Sequence, residues 1–161
     1  MTFEAFDGTP VGDRWSPIEV QVLRDEAMNK DLPAGDYPSL IPYVPVASKR
    51  AVQALEELLK GNGEILPLRC REGEYFAFNV TRMADVLDEV HSEVTRFEGS
   101  GRIMRIVRHH FREEGLEYLD VFKIPQLRRS HVYVTDRFVR RVAETGLLGF
   151  DFEQVWPADA G

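Results

Sequence analysis

The 161-residue chain has one cysteine, Cys70, so it can form neither an internal disulfide nor a thiolate metal cage. A reducing compartment fits that scarcity. No apolar run approaches the roughly 20 residues that span a bilayer. The N-terminal residues Met1 to Asp7 carry acids where a secretory signal needs a basic start and an unbroken apolar stretch. These absences point to a cytoplasmic protein with no membrane contact. Positive charge is also in deficit, with 20 Lys and Arg against 27 Asp and Glu and a net charge of -7. A general nucleic-acid binder needs a basic stripe to displace phosphate counterions, so that class is disfavoured.

What is present is enough to fold. Hydrophobic residues make up 43% of the chain and aromatics are spread along it, so burial can offset chain entropy, and the length suits one domain. Charge is uneven. Acids dominate the first segment, while from Gly101 to Arg141 ten bases, including Arg102, Arg105, Arg108 and Arg112, outnumber the acids. Either the two regions pair internally or a partner is itself polarised.

Hydrophobic periodicity predicts an α+β fold: a mostly antiparallel sheet with hairpins and two or three helices. Prolines at 10, 17, 33, 38 and 42 make the opening stretch to about Ile41 irregular, and the chain divides into an N-terminal segment 1–35 packed on a domain spanning 36–157, with 158–161 as a tail. Within that segment Ile18 to Leu23 alternates as a strand should. Ser48 is a natural cap for a helix carrying Ala51, Val52, Leu55, Leu58 and Leu59 and ending at Gly61. Glu64 to Arg69 and Tyr75 to Val80 read as a hairpin. Thr81 is placed to cap a short helix through Val90, and a second hairpin joins Val94–Phe97 to Arg102–Val107. His109 to Glu114 reads as a helical turn, and Val121 to Ile124 as a strand. A final unit comprises strand His131–Val134, cap Thr135, helix Asp136–Glu144, Gly146 as stop and a closing strand Phe150–Trp156. Two strand-cap-helix-glycine-strand units thus recur.

Catalytic chemistry finds little support. His91, His109, His110 and His131 lack metal-ligand spacing, so no metal and no cofactor are expected. Cys70, between Arg69 and Arg71, is either an activated thiolate or a small core residue. Ser130 and His131 are adjacent on a strand and point to opposite faces. The glycine pairs make turns and lack the Lys-Ser or Lys-Thr of a phosphate loop. A small enzyme built on Cys70, His109, His110 or His131, and a regulatory nucleic-acid binder using the arginines from 102 to 141, remain the alternatives.

The run Gly63 to Leu68, the run Tyr75 to Thr81, residues 85–92, Val121 to Ile124, Val132 to Phe138 and Gly146 to Phe152 resemble the eleventh immunity-protein family of bacterial polymorphic toxin systems. The resemblance extends over roughly Asp36 to Trp156. It implies a small cytoplasmic α+β protein that binds and neutralises a cognate toxin without cofactor or catalytic residues. Where such a toxin is a nuclease its cleft is basic, and carboxylates steer an inhibitor into it. The candidate contacts are Asp31 and Asp36 with Tyr37, and Glu113, Glu114, Glu117 and Asp120 with Tyr118, the tyrosines serving as aromatic anchors. Exposed edge strands leave pairing into a homodimer open.

Overall fold

The computed structural model describes residues 6–22, 35–38 and 43–157. In chain order its elements are β1 (Glu19–Val20), β2 (Val46–Ser48), α1 (Lys49–Ala54), α2 (Glu56–Leu59), β3 (Gly63–Pro67), β4 (Arg69–Cys70), β5 (Tyr75–Val80), β6 (Glu93–Arg96), β7 (Ile103–Arg108), β8 (Val121–Phe122), β9 (Tyr133–Val134) and α3 (Asp136–Glu144). Three antiparallel sheets make up most of the sheet structure: β2-β5-β3, β6-β7 and β8-β9. Among the described strands β1 and β4 pair in parallel, and an isolated parallel bridge joins Met83 to Lys123. The fold is α+β, with helices and mostly antiparallel strands as the periodicity predicts.

The β2-β5-β3 sheet organises the first half. Ala77 of β5 faces Val46 on one side and Leu66 on the other. These three, with Tyr75 on the same face, bury against Phe6 and Val11 of the N-terminal segment. Alternation sends Phe78 and Val80 to the opposite face, where they pack against Leu55, Leu58 and Leu59, and against Phe138 and Val142 of α3. Each large side chain buried there contributes roughly 1.5–3 kcal/mol. A third cluster holds Leu87, Ile103, Phe111, Leu119, Phe122 and Tyr133, and packs beneath the β6-β7 hairpin.

Ser48 caps α1 as its hydroxyl predicts, accepting the Ala51 N–H at 3.1 Å. The single expected helix breaks at Leu55, whose φ of -106° and ψ of 5° leave the helical region between α1 and α2. Gly61, at φ 80°, then turns the chain out. Gly63 begins β3 so close to its neighbour that a Cβ there would overlap the Asn79 carbonyl oxygen. The hairpin strand predicted from Glu64 to Arg69 is divided: β3 pairs with β5, while β4 leaves the sheet to pair with β1. Of the alternating stretch from Ile18, only Glu19 and Val20 are strand, and Leu23 lies outside the described residues.

Three other expectations are corrected. Residues 81–92 form no helix. Their donors are drawn to distant acceptors, Ala84 N–H to Lys123 O at 2.9 Å and Asp88 N–H to His110 O at 2.8 Å, while Leu87 bridges Phe111 and Val90 is left exposed. Tertiary pairing overrides the local pattern. Thr135 occupies the position before α3, but its hydroxyl donates to Leu119 O at 3.0 Å instead of capping the helix. Residues 150–156 form no strand. That segment is held by rings, with Phe150 stacked on Tyr37 at 4.6 Å and Phe138 edge-on to Phe152 at 6.3 Å. The helical turn expected within 109–114 lies slightly later, as a 3-10 turn at Glu113–Gly115.

Candidate partner-binding surface

The sequence-predicted contact residues separate into an inward and an outward set. Asp36 is 6% exposed. Its Oδ1 accepts the Ser48 hydroxyl at 2.7 Å, and its Oδ2 accepts Arg50 Nη1 at 2.7 Å and Leu148 N–H at 3.0 Å. The carboxylate is therefore used within the fold. Tyr37 beside it is half-buried on Phe150, and burial pushes its hydroxyl pKa upward. Asp120 is also buried, beneath Arg137, whose Nη1 lies 3.4 Å from its Oδ1. Asp31 lies outside the described residues.

Glu113, Glu114, Glu117 and Tyr118 point outward. The chain turns tightly here: Leu116 N–H bonds Glu113 O at 2.9 Å and Leu119 N–H bonds Leu116 O at 3.0 Å. Leu119 buries, Leu116 packs against the same core cluster, and Gly115 sits so close to Val86 that a Cβ would meet its Cγ1 at 2.5 Å. Anchored on that side, the turn presents three carboxylates and a tyrosine that is 81% exposed. The geometry suits recognition of a cationic, partly apolar surface, since the aromatic ring supplies contact area and the acids supply field.

The arginines are largely committed to the protein's own groups. Arg112 donates to Leu87 O and to Asp85 O, Arg141 to Ala54 O at 3.0 Å, and Arg129 lies 3.8 Å from Asp7. The last pair is a direct link between the acidic opening and the basic later region.

The nucleophile and base candidates do not converge. Cys70 is half-buried and its Sγ lies 3.0 Å from Glu72 Oε2. His109 Nε2 meets the Tyr133 hydroxyl at 3.0 Å; burial lowers the histidine pKa and raises that of Tyr133 to about 12. An apolar cavity of about 130 Å³ lies between the helix-facing side of the sheet and α3, lined by residues such as Leu55, Phe76, Phe138 and Phe150. None of Cys70, His109, His110 and His131 lines it.

Two groupings were not read from the sequence. Lys123 is fully buried, with Nζ donating to Phe6 O at 2.7 Å, Arg128 O at 3.2 Å and Tyr43 O at 3.3 Å. A lysine inside the apolar run Val121 to Ile124 was the available signal. The second grouping brings Asp88, His91 and His110 together, with their ligand atoms all within 4.8 Å of one another. The Asp88-x-x-His91 spacing hints at two of the three, but His110 arrives through the pairing of residues 86–92 with 109–112. His91 holds the Asp88 carboxyl well below the usual range, at about 2.

Among the described residues no helix is long and apolar enough to cross a membrane. No curated protein matches the chain significantly. The model of an immunity protein family, Imm11, matches residues 68–156, starting later than the sequence resemblance and leaving out α1, α2 and Ser48. That span is more than half of the chain and takes in β5 to β9, α3 and the exposed acidic turn, and the chain belongs to the Imm11 immunity protein family.

Proposed function

We propose that this protein neutralises a cognate bacterial toxin in the cytoplasm by binding it, without turnover or cofactor. Membership of the immunity family carries the reading. The contact surface is the outward turn of Glu113, Glu114, Glu117 and Tyr118, because its carboxylates have no role in holding the fold and its tyrosine is free to bury in a partner. Asp36 and Asp120 are left out of this surface, since both are buried, Asp36 under internal hydrogen bonds and Asp120 beneath Arg137. A toxin with a basic cleft, such as a nuclease, is the complementary partner: charge attraction speeds encounter and Tyr118 slows release.

Co-expression with the toxin encoded beside this gene, followed by pull-down and a survival assay, tests the proposal. Survival with a stable complex supports it, and survival without any complex overturns it. Glu113→Lys, Glu117→Lys and Tyr118→Ala combined should weaken the complex by about thirtyfold or more. Unfolding stability should stay within about 0.5 kcal/mol, as expected for exposed positions. Unchanged affinity in that variant would move the contact surface elsewhere on the protein.

A further inference from the structure

We infer that Asp88, His91 and His110 form a binding site for a divalent transition-metal cation of the zinc class. The arrangement begins with the Asp88 carboxylate, whose two oxygens have different tasks. Oδ1 accepts the backbone N–H groups of Val90 at 3.0 Å and His91 at 3.2 Å, which fixes the orientation of the group. Oδ2 is thereby turned toward both imidazoles, 2.7 Å from His91 Nδ1 and 3.9 Å from His110 Nδ1. The rings lie side by side, tilted by 40°, with centroids 5.2 Å apart.

The backbone holds the two segments in register. Asp88 N–H donates to His110 O at 2.8 Å, and Ser92 Oγ accepts the His110 N–H at 2.9 Å while donating to His110 O at 3.2 Å. Residues 18 positions or more apart are thus clamped so that three donor atoms lie within 4.8 Å of one another. Zinc bonds of about 2.0–2.2 Å in tetrahedral geometry separate ligand atoms by roughly 3.4 Å. The two carboxylate–imidazole separations, 2.7 Å and 3.9 Å, bracket that value and the ligand nitrogens of the two rings lie within 4.8 Å of each other, so ring rotations that draw the imidazoles together admit an ion.

The donor set selects the class of cation. Two imidazole nitrogens and one carboxylate oxygen suit zinc, cobalt or nickel, whereas magnesium and calcium require oxygen-rich shells. Both rings are well exposed, with side chains 66% exposed at His91 and 46% at His110, so an ion has a direct path in. Three protein ligands leave further coordination positions to water. In the absence of an ion the pair Asp88–His91 simply shares a hydrogen bond, and a metal takes the place of that contact.

The test titrates the full-length protein with ZnCl2 in a non-coordinating buffer at neutral pH by calorimetry, and with CoCl2 by visible absorption. One ion per chain is expected, with a cobalt spectrum of nitrogen and oxygen ligation. His91→Ala and His110→Ala should each lower zinc affinity by at least about tenfold, a loss on the scale of removing a ligand or its support. Asp88→Asn keeps the Oδ1 acceptor that shapes the turn and should also weaken binding. Cys70→Ser and His131→Ala should bind as the unaltered protein does. Circular dichroism of each variant separates lost ligation from lost folding, and both rings are exposed enough for the fold to survive their removal. Absence of binding at about 100 μM zinc, a concentration that detects sites far weaker than a built one, overturns the site. So does full retention of zinc affinity in the folded His91→Ala/His110→Ala double variant.

Discussion

Asp36 and Arg50 meet at 2.7 Å, and the second guanidinium nitrogen of Arg50 donates to both Thr145 O and Gly146 O at 3.1 Å. The pair joins three parts of the chain: the segment before β2, the first turn of α1 and the exit from α3. Asp36 also takes the hydroxyl of Ser48, which caps the same helix.

Replacing Asp36 should therefore reduce stability. Asp36→Ala leaves the Leu148 N–H without its acceptor, frees the Ser48 hydroxyl and unpairs Arg50. Loss of a buried, charge-assisted hub costs about 3 kcal/mol. Because Arg50 is half exposed to water, Arg50→Ala should cost less. Urea unfolding of both variants measures the order, and an equal or greater loss at Arg50 would contradict the hub assignment.

Glu64 anchors the N-terminal segment and makes that anchorage acid-sensitive. Its carboxylate accepts Val11 N–H and Gly12 N–H, each at 2.8 Å, and Asn79 Nδ2 at 2.8 Å. Partial burial alone would raise its pKa, but these donors outweigh it and the pKa is lowered from 4.5. A carboxyl with a depressed folded pKa contributes stability that is present above 4.5 and is lost as pH falls through the folded value. Protection of the Val11 and Gly12 amides, measured against the intrinsic exchange rate at each pH, should fall in that acid window before global unfolding. Glu64→Ala should show the same loss of protection at neutral pH.

Lys123 gives a response of the same sign at the alkaline end. Removal from water pulls its ammonium down to about 8, with Asp7 opposing, while three carbonyl oxygens hold the proton-bearing group in place. Between pH 8 and 10.5 the unfolded chain binds more protons at this site than the folded one, so this group's contribution to stability rises with pH. The gain is at most on the order of 1 kcal/mol per pH unit. Lys123→Met should abolish the rise. It should also cost stability at neutral pH, because it strips donors from three carbonyls. Urea midpoints at pH 7.5 and 9.5 for both proteins give the comparison.

Helix α3 was legible to the residue. Asp136 in its first turn, Phe138 and Val142 at helical spacing and Gly146 as stop are contiguous signals, and the helix spans Asp136–Glu144 with φ 61° at Gly146. The β6-β7 hairpin was legible for the same reason, since turn glycines at positive φ separate two extended runs. Residues 81–92 were misread because their apolar spacing is helical, whereas their hydrogen-bond partners lie near His110 and Lys123. The acidic turn was visible as composition, but nothing local distinguishes Glu113, which faces water, from Asp120, which lies under Arg137.

The sequence by itself determined the α+β class, the placement of α3 and the hairpins, the lack of an internal disulfide and the resemblance to an immunity family. Each depends on periodicity, turn chemistry or composition within short windows. Only the tertiary structure decided that Asp36 serves the fold, that Lys123 is buried among carbonyls and that His91, His110 and Asp88 meet. Those outcomes depend on which distant segments compete for the same hydrogen-bond donors and the same dry volume, and a linear pattern does not encode that competition.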